Sequence, residues 1–253
     1  MKVRERLNCG RIQSFISPSP TVFHITHWKA GSQWVKAVLT AAQPDRVVPQ
    51  KLFVAHVLVD PIKPGMIYPG VYLSREQFNA IVIPQPDIKF IIIRDLRDTL
   101  ISWYFSLKIS HPINERVQGF REKLNSLDFE QGLIYLMETR LRDVARIQMS
   151  WINSNEFIVC YEDLLANEEE HFGRILTHCQ IELQEDKLHD IITANSFETV
   201  TGRKKGEEEI ASHYRKGIAG DWKNYFSKAI KVEFKERFGD VLIQTGYEID
   251  NNW

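Results

Sequence analysis

The sequence predicts a single α/β domain, spanning residues 1–253, in which a parallel sheet is flanked by helices. Short apolar runs without polar alternation are typical of strands buried on both faces of a parallel sheet. Helical patterns follow most of these runs, and this alternation favours a right-handed, doubly wound arrangement. A chain of 253 residues is long enough for one such core and short for two.

The predicted elements alternate along the chain, with no internal repeat. The strands are predicted at 22–26, 52–57, 89–94 and 157–161, and the helices at 32–42, 74–82, 96–108, 129–152, 168–179 and 185–194. Capping boxes mark two helix starts, at Ser74 with Gln77 and at Asn167 with Glu170. The polar segments 108–128 and 199–215 are predicted to be mobile, the second as a solvated loop or as a lid with cations for an anionic acceptor.

The first strand, turn and helix predict a binding site for an anion. Residues 21–34, TVFHITHWKAGSQW, lead from the strand through a turn into a helix that begins at Ser32. The unpaired N–H groups of a first helical turn and the helix dipole favour negative charge. Lys29 adds a full charge, and Gly31 lets the backbone approach the ligand closely. Because no Gly-Lys-Ser/Thr occurs in the chain, this is not the usual NTPase loop.

The second strand–helix junction, residues 89–103, adds a further cation. Arg94 follows the apolar run 90–93 and therefore lies at the carboxyl end of a strand, where open α/β sheets bind their ligands. Ser102 lies two turns along the following helix and can share a phosphate with Arg94. The alternative is that Arg94 only forms an ion pair with Asp98 in the first helical turn.

The segment 215–223, RKGIAGDWK, predicts a cationic loop before a helix. It contains two adjacent cations and two glycines three residues apart, and Asp221 is the predicted N-cap of the helix. Together with Lys29 and Arg94, the loop offers Arg215 and Lys216 to one polyanion. The net charge of the whole chain is only −1, so the positive charge is local to a pocket.

These segments resemble those of sulfotransferases that use 3′-phosphoadenosine 5′-phosphosulfate (PAPS). HWKAGSQW is similar to the 5′-phosphosulfate loop of that family, typically Tyr-Pro-Lys-Ser-Gly-Thr-Thr-Trp. Arg94 and Ser102 match its 3′-phosphate motif, and residues 215–223 match its late signature nearly letter for letter. Tyr161 begins a Tyr-Glu-Asp, and 195–197 takes the place of Thr-Ser-Phe. The order of these elements from residue 22 to 223 resembles that of the cytosolic and bacterial sulfotransferase domain, whose fold is similar to that of P-loop kinases.

The resemblance implies a role for each of these groups. Lys29 is implied to be catalytic, because it holds the phosphosulfate and neutralises the bridging oxygen as the S–O bond breaks. Ala30 replaces a frequent serine of the family, and the pair 27–28 replaces Tyr-Pro. The implied cofactor-binding residues are Lys29, Ala30, Gly31, Ser32, Gln33, Trp34, Arg94, Ser102, Tyr161, Ser196, Phe197, Arg215, Lys216 and Gly217.

The implied reaction is transfer of the sulfuryl group from PAPS to a hydroxyl or amine of a small-molecule or lipid acceptor. Such an in-line displacement depends on positioning and charge stabilisation, and the resemblance implies no metal and adenosine 3′,5′-bisphosphate (PAP) as product. A histidine base usually activates the acceptor. Counting back from Arg94 by the interval usual in the family leads to a position near Tyr72, which is not a histidine. The nearest histidine upstream is His56, in the predicted strand 52–57, and it is therefore the preferred base. It could equally be a buried, hydrogen-bonded histidine, and the other candidates for the base are His111, His213, Asp60 and Glu76.

The acceptor and two other function classes stay open. Trp103, Tyr104, Phe105 and the aromatic segment 66–78 can line an apolar acceptor pocket or belong to the core. A small-molecule kinase that uses ATP and magnesium would share the sheet and the anion site. A nucleotide-binding relative without catalytic activity is the other alternative.

Composition favours a cytoplasmic enzyme that binds neither nucleic acid nor membranes through a general charge. The net charge is −1, and the three cysteines have no metal-ligand spacing. The first residues lack an apolar signal core, and no run approaches membrane-spanning length. After Lys223 the chain departs from the family's late dimer motif, with Glu233 one place late, so the oligomeric state is open.

Overall fold

The structure, a computed structural model, describes residues 19–49, 58 and 60–253. Its centre is a parallel sheet of four strands in the order β2-β1-β3-β4. Val22 lies opposite Ile67 and Phe90 opposite Phe157 in this sheet, so the predicted parallel α/β fold is confirmed. The strands are β1 (Thr21–Ile25), β2 (Ile67–Val71), β3 (Asp87–Ile93) and β4 (Phe157–Cys160).

Helices connect and cover the strands. Two π-helical turns, Ser106–Ser110 and Met137–Leu141, respectively extend α3 and join α5 to α6. A 3₁₀ turn, Asp221–Asn224, precedes the last helix. The α-helices are α1 (Ser32–Ala42), α2 (Arg75–Asn79), α3 (Leu96–Phe105), α4 (Glu115–Asn125), α5 (Phe129–Leu136), α6 (Arg142–Ile152), α7 (Tyr161–Ala166), α8 (Glu168–His178), α9 (Glu185–Ala194), α10 (Phe197–Thr201) and α11 (Lys228–Gln244).

The apolar run of β3 is buried on both faces of the sheet. Successive side chains of a strand point to opposite faces, so Phe90 and Ile92 pack with α1, α8 and α9. Ile91 and Ile93 point the other way and pack with α2 and α6. A third apolar cluster joins α3, α5 and α11 beyond the edge of these layers. The two covered faces explain why the strand lacks polar alternation.

Most predicted helices are present with small differences at their ends. The bounds of 32–42 and 185–194 are as predicted, and 129–152 is one continuous helical stretch that contains a π-helical turn. The Ser74 side chain caps α2 with Gln77 in a complete capping box, and Asn167 caps α8. The segment 108–128, predicted to be mobile, contains α4, and the α2 helix ends at Asn79, earlier than the predicted 82.

Two strands account for the main difference from the sequence prediction. The predicted strand 52–57, with the candidate base His56, lies outside the described residues. The strand β2, at Ile67–Val71, was not predicted because Pro69 and Gly70 interrupt its apolar pattern. Among the strands that the structure describes, β2 lies at the edge of the sheet, so Pro69 does not remove a hydrogen bond from its centre.

The described part of the chain contains no helix that is both long and apolar enough to cross a membrane.

Candidate active site

The carboxyl ends of β1, β3 and β4 open into a cavity of about 450 Å³. The segments that the sequence singles out meet there, although up to 188 positions separate Lys29 from Gly217 in the chain. Ala30 is the exception among the predicted residues, since its side chain is fully buried in the core beneath the loop. The predicted residues that line the cavity are Lys29, Gly31, Ser32, Gln33, Trp34, Arg94, Ser102, Tyr161, Ser196, Phe197, Arg215, Lys216 and Gly217.

The loop between β1 and α1 has the backbone of an anion site. Gly31 has a φ of 78° and precedes α1, and no side chain caps the first N–H groups of that helix. These N–H groups are therefore available to a ligand. A Cβ at Gly31 would lie 2.7 Å from the Tyr161 ring, so a larger residue would displace the loop. Lys29 also adopts a left-handed φ of 70°.

Positive charge accumulates around Lys29. Burial, with the nearby charges of Arg94 and Arg215, lowers the pKa of Lys29 to about 7. Arg94 donates a hydrogen bond from Nη1 to the Lys29 carbonyl oxygen at 2.7 Å, and its guanidinium lies 4.4 Å from the Tyr161 ring centroid. The Nε of Arg94 is buried and has no partner among the described residues. A bound polyanion would offset this charge and satisfy that donor.

The carboxylate of Asp98 holds the cationic loop 215–220 beside α3. Its two oxygens accept hydrogen bonds from the backbone N–H of Gly220 at 2.6 Å and of Trp222 at 2.8 Å. The residue is almost fully buried, so these bonds fix the end of the loop against the helix. The alternative prediction, that Asp98 only forms an ion pair with Arg94, is therefore not supported, because the carboxylate accepts these two backbone hydrogen bonds.

The prediction that Asp221 is a helix N-cap is wrong. Gly220 precedes the 3₁₀ turn, and the Asp221 carboxylate instead forms ion pairs with Arg215 and with Lys216, at 2.7 Å from the Lys216 Nζ. Both cations are thereby oriented within the cavity wall. Asp221 also accepts a hydrogen bond from Asn224, and its pKa is lowered by these partners.

An aromatic group adjoins the cations. The Trp34 and Tyr161 rings meet edge to face, with their centroids 6.3 Å apart. A Cβ at Gly217 would lie 2.5 Å from the Phe197 ring, so the ring and the cationic loop are in direct contact. The faces of such rings suit an adenine base.

The segment 199–215 is tied to the rest of the molecule. Arg203 donates from its guanidinium to the carbonyl oxygens of Tyr214 and Arg215, and Lys205 forms an ion pair with Glu168 at 2.6 Å. These contacts occupy Arg203 and Lys205 within the protein. The expectation that they meet an anionic acceptor is therefore not supported by their placement.

Three of the described histidines lie at or below the cavity. His27 is buried below the loop, where its Nε2 is 3.0 Å from Gln148 Oε1, and burial lowers its pKa to about 4. His111 and His213 line the cavity. The charge of Lys29 and burial lower the pKa of His213 to about 4, and burial with Lys29 also lowers the pKa of His111. Both rings are therefore neutral at pH 7 and able to accept a proton.

Tyr72 lines the cavity at the end of β2, where the family's interval had pointed. Its hydroxyl is 2.5 Å from the Ser32 Oγ at the start of α1. Burial raises the pKa of Tyr72 to about 12, so the phenol is protonated at neutral pH, and either hydroxyl can be the donor in this hydrogen bond.

The other half of the cavity contains residues that the sequence did not single out. Trp103 lines it as predicted, but Tyr104 and Phe105 turn into the core, where each packs on Phe129. Helical periodicity alone could not distinguish these orientations. The lining also includes Trp28, Ser106, Leu107, Asn114, Arg116, Val117, Phe120 and Arg140.

Comparisons with known proteins give matches over most of the chain. The family model described as "Sulfotransferase domain" matches residues 19–246. Sulfotransferase 1 family member D1 of Mus musculus is 21% identical, over 90% of this chain and 85% of its own length. Sulfotransferase 6B1 of Danio rerio is 24% identical, over 87% of this chain and 78% of its own.

Two solved structures share the fold. Mouse sulfotransferase SULT7A1 complexed with PAP has a TM-score of 0.62 at 16% identity, covering 90% of this chain and 87% of that chain. Retinol dehydratase in complex with androsterone and inactive cofactor PAP has a TM-score of 0.57 at 15% identity, covering 90% and 82%.

Proposed function

The chain belongs to the sulfotransferase family, and from this premise we propose that it transfers the sulfuryl group of PAPS to an acceptor hydroxyl or amine. The cluster of Lys29, Arg94, Arg215 and Lys216 in one cavity is the observation that carries the proposal. Four cations around an uncapped helix start match a nucleotide with phosphates at both the 3′ and 5′ positions. The small-molecule kinase is disfavoured, because Ala30 follows Lys29 where a metal-binding hydroxyl would be needed.

Each side chain in the cavity has a proposed task. Lys29 and the first N–H groups of α1 stabilise negative charge on the bridging oxygen and the 5′-phosphate. Arg94 and Ser102 bind the 3′-phosphate together with the loop that contains Arg215. Trp34 and Tyr161 stack near the adenine. PAPS supplies the sulfuryl group when bound, and these residues need no metal for their tasks.

A histidine is proposed to take the acceptor proton. His213 and His111 are the described histidines that line the cavity with Lys29, and the Lys29 charge contributes to the lowered pKa of both, which supports either as the base. Phosphate groups nearby would raise these pKa values and so strengthen either base. His56 stays a prediction from the sequence.

A thermal-shift titration tests the donor. A ligand at a hundred times its Kd adds about 2.7 kcal/mol to the free energy of unfolding, so PAP is expected to raise Tm by about 5–10 °C. AMP and ATP with magnesium are expected to give smaller shifts. A larger shift with ATP and magnesium than with PAP would move the chain to the kinases and contradict the proposal.

Substitution Arg94→Gln is expected to weaken PAP binding by about 10- to 150-fold, since hydrogen bonds to charged groups contribute about 1.5–3 kcal/mol. AMP lacks the 3′-phosphate, so its Kd should change less than that of PAP. Calorimetry with both nucleotides measures this difference. Arg142→Gln is the matched control, because Arg142 is exposed and does not line the cavity. An equal increase in the Kd values of PAP and AMP would show that Arg94 does not bind the 3′-phosphate.

PAP affinity is expected to fall as the pH rises above about 7. The pKa of Lys29 is about 7 in the free protein, and a nearby phosphate favours the protonated amine. Binding above that pH must therefore take up a proton, and the affinity decreases by up to tenfold per pH unit. Calorimetry in buffers of different ionisation enthalpy counts the proton. The uptake should vanish in Lys29→Met, and its persistence there would assign it to another group.

A further inference from the structure

We propose that the acceptor carries an anionic group, such as a carboxylate, which binds at Arg140 and Arg116 at the end of the cavity away from the nucleotide residues. The proposal rests on the proposed transfer reaction and narrows its acceptor to an amphipathic hydroxy acid. The lining of this part of the cavity includes the apolar side chains of Trp28, Trp103, Leu107, Val117 and Phe120, with Ser106 and Asn114 as polar neighbours.

Arg140 is placed to receive an anion. Its guanidinium carbon lies 5.2 Å from the Trp103 ring centroid and 4.9 Å from that of Phe120. These rings shield the charge from water, and the Nε is buried without a partner among the described residues. A donor left unpaired in such a place costs free energy unless a ligand accepts from it.

Arg116 adds a second positive charge to the same end of the cavity. Its charge and burial both lower the pKa of Arg140, and neither arginine forms an ion pair among the residues that the structure describes. The cavity lining includes the carboxylate of Glu168, but that group is paired with Lys205. Neither guanidinium therefore has an ion-pair partner among the described residues that line the cavity, although the Asp143 carboxylate outside it partly offsets the charge of Arg140.

The position of Arg116 is unfavourable for its own helix. It lies in the first turn of α4, after the N-cap Asn114, where the helix dipole is positive. A cation there gains nothing from the helix, and Arg140 repels it. A bound anion would reverse both effects, because it would meet the helix dipole and the two guanidinium groups together.

Two of the three helical stretches that border this end contain π-helical turns, and α4 does not. Arg140 lies in Met137–Leu141, and Leu107 lies in Ser106–Ser110. Such turns shift the side chains that follow them around the helix axis and occur frequently at functional sites. The irregularities coincide with the acceptor end of the cavity, which supports a binding role for Arg140.

The aromatic wall indicates the length of the acceptor. Trp28, next to Lys29 in the chain, stacks on Trp103 with ring centroids 5.8 Å apart, and Trp103 in turn faces Arg140. The path from the Trp28 ring over the Trp103 ring to the Arg140 guanidinium is therefore on the order of 10 Å long. A phenol with a carboxylate on a short alkyl chain has this reach.

Equilibrium binding to the PAP-bound protein tests the proposal. The probes are para-hydroxyphenylbutyrate and its neutral amide, and the readouts are calorimetry and the tryptophan fluorescence of the cavity. The acid is expected to bind about tenfold or more tightly than the amide in the unmodified protein, as a charge-assisted hydrogen bond predicts. The ratio of the two Kd values should approach one in Arg140→Gln and stay unchanged in the control Arg142→Gln.

The proposal would be overturned if the amide and the acid had nearly equal Kd values in the unmodified protein. It would also be overturned if the ratio of these Kd values were undiminished in the double variant Arg140→Gln with Arg116→Gln. Failure of both probes to bind while PAP still binds would overturn it as well. Turnover with PAPS is measured separately on the same acid. Preferential binding of the acid without its sulfation would count against the transfer reaction and still support the anion site at Arg140.

Discussion

Substitution Lys29→Met is expected to lower kcat by about a hundred- to a thousandfold while PAP still binds. Removal of one group that stabilises developing charge in a preorganised site costs about this much. Lys29 lines the cavity beside the uncapped start of α1, and the proposed mechanism assigns its amine to the leaving oxygen as that oxygen gains charge. Methionine keeps the length of the side chain. Single-turnover sulfation with saturating PAPS gives the rate directly.

Unfolding measurements separate this loss from misfolding. The folded protein lowers the pKa of Lys29 to about 7, whereas an unfolded chain returns it to about 10.4, so the protonated amine favours the unfolded state at neutral pH. The Tm of free Lys29→Met is therefore expected to match or exceed that of the unmodified protein. Lys228→Ala, at an exposed position outside the cavity, serves as the control. Full turnover by Lys29→Met would contradict the proposed mechanism.

Substitution His213→Asn is expected to lower kcat by about a hundred- to ten thousandfold, the usual contribution of a general base. The ring lines the cavity, and the Lys29 charge is the largest cause of its lowered pKa, which makes it the preferred base of the proposed mechanism. His111→Asn should have a smaller effect, because burial rather than Lys29 dominates its shift. Turnover at saturating PAPS with a weakly acidic alcohol measures both.

An acidic phenol provides the internal comparison. Because such a phenol loses its proton readily, the loss caused by His213→Asn should shrink when para-nitrophenol replaces the alcohol. His189→Asn is a suitable control, since that histidine is exposed and pairs with Glu169. If His56→Asn abolishes turnover and His213→Asn does not, the base is His56, as the sequence predicts, and not His213.

The nucleotide side of the cavity could be predicted because its signals are local. A strand, a glycine turn and a helix start follow one another within residues 21–34, and the Arg94–Ser102 pair lies within one strand–helix junction. The chemistry of such a junction depends on neighbours in the chain. The role of Asp221 could not be predicted from its neighbours in the chain. An acidic residue before a helical pattern is equally compatible with capping the helix and with forming ion pairs to distant cations.

The acceptor side depends on contacts between distant elements. Arg116 and Arg140 line the same cavity because α4 packs beside the helical stretch from α5 to α6. No spacing in the sequence predicts that the two arginines share a cavity. The contact between Ser32 and Tyr72 likewise joins residues 40 positions apart. The helix α11 is absent from the predicted elements, although its sequence has a helical pattern. Its apolar residues recur at every fourth position, at Ile230, Phe234, Phe238 and Leu242.

The lowered pKa of Lys29 also makes its amine a selective chemical target. A lysine of ordinary pKa is neutral in roughly one molecule in two thousand at pH 7, whereas about half of the Lys29 amines are neutral there. Neutral, desolvated amines are nucleophiles. A small acylating reagent should thus modify Lys29 before lysines of ordinary pKa, and protection by nucleotide would report occupancy of the cavity without any knowledge of the acceptor.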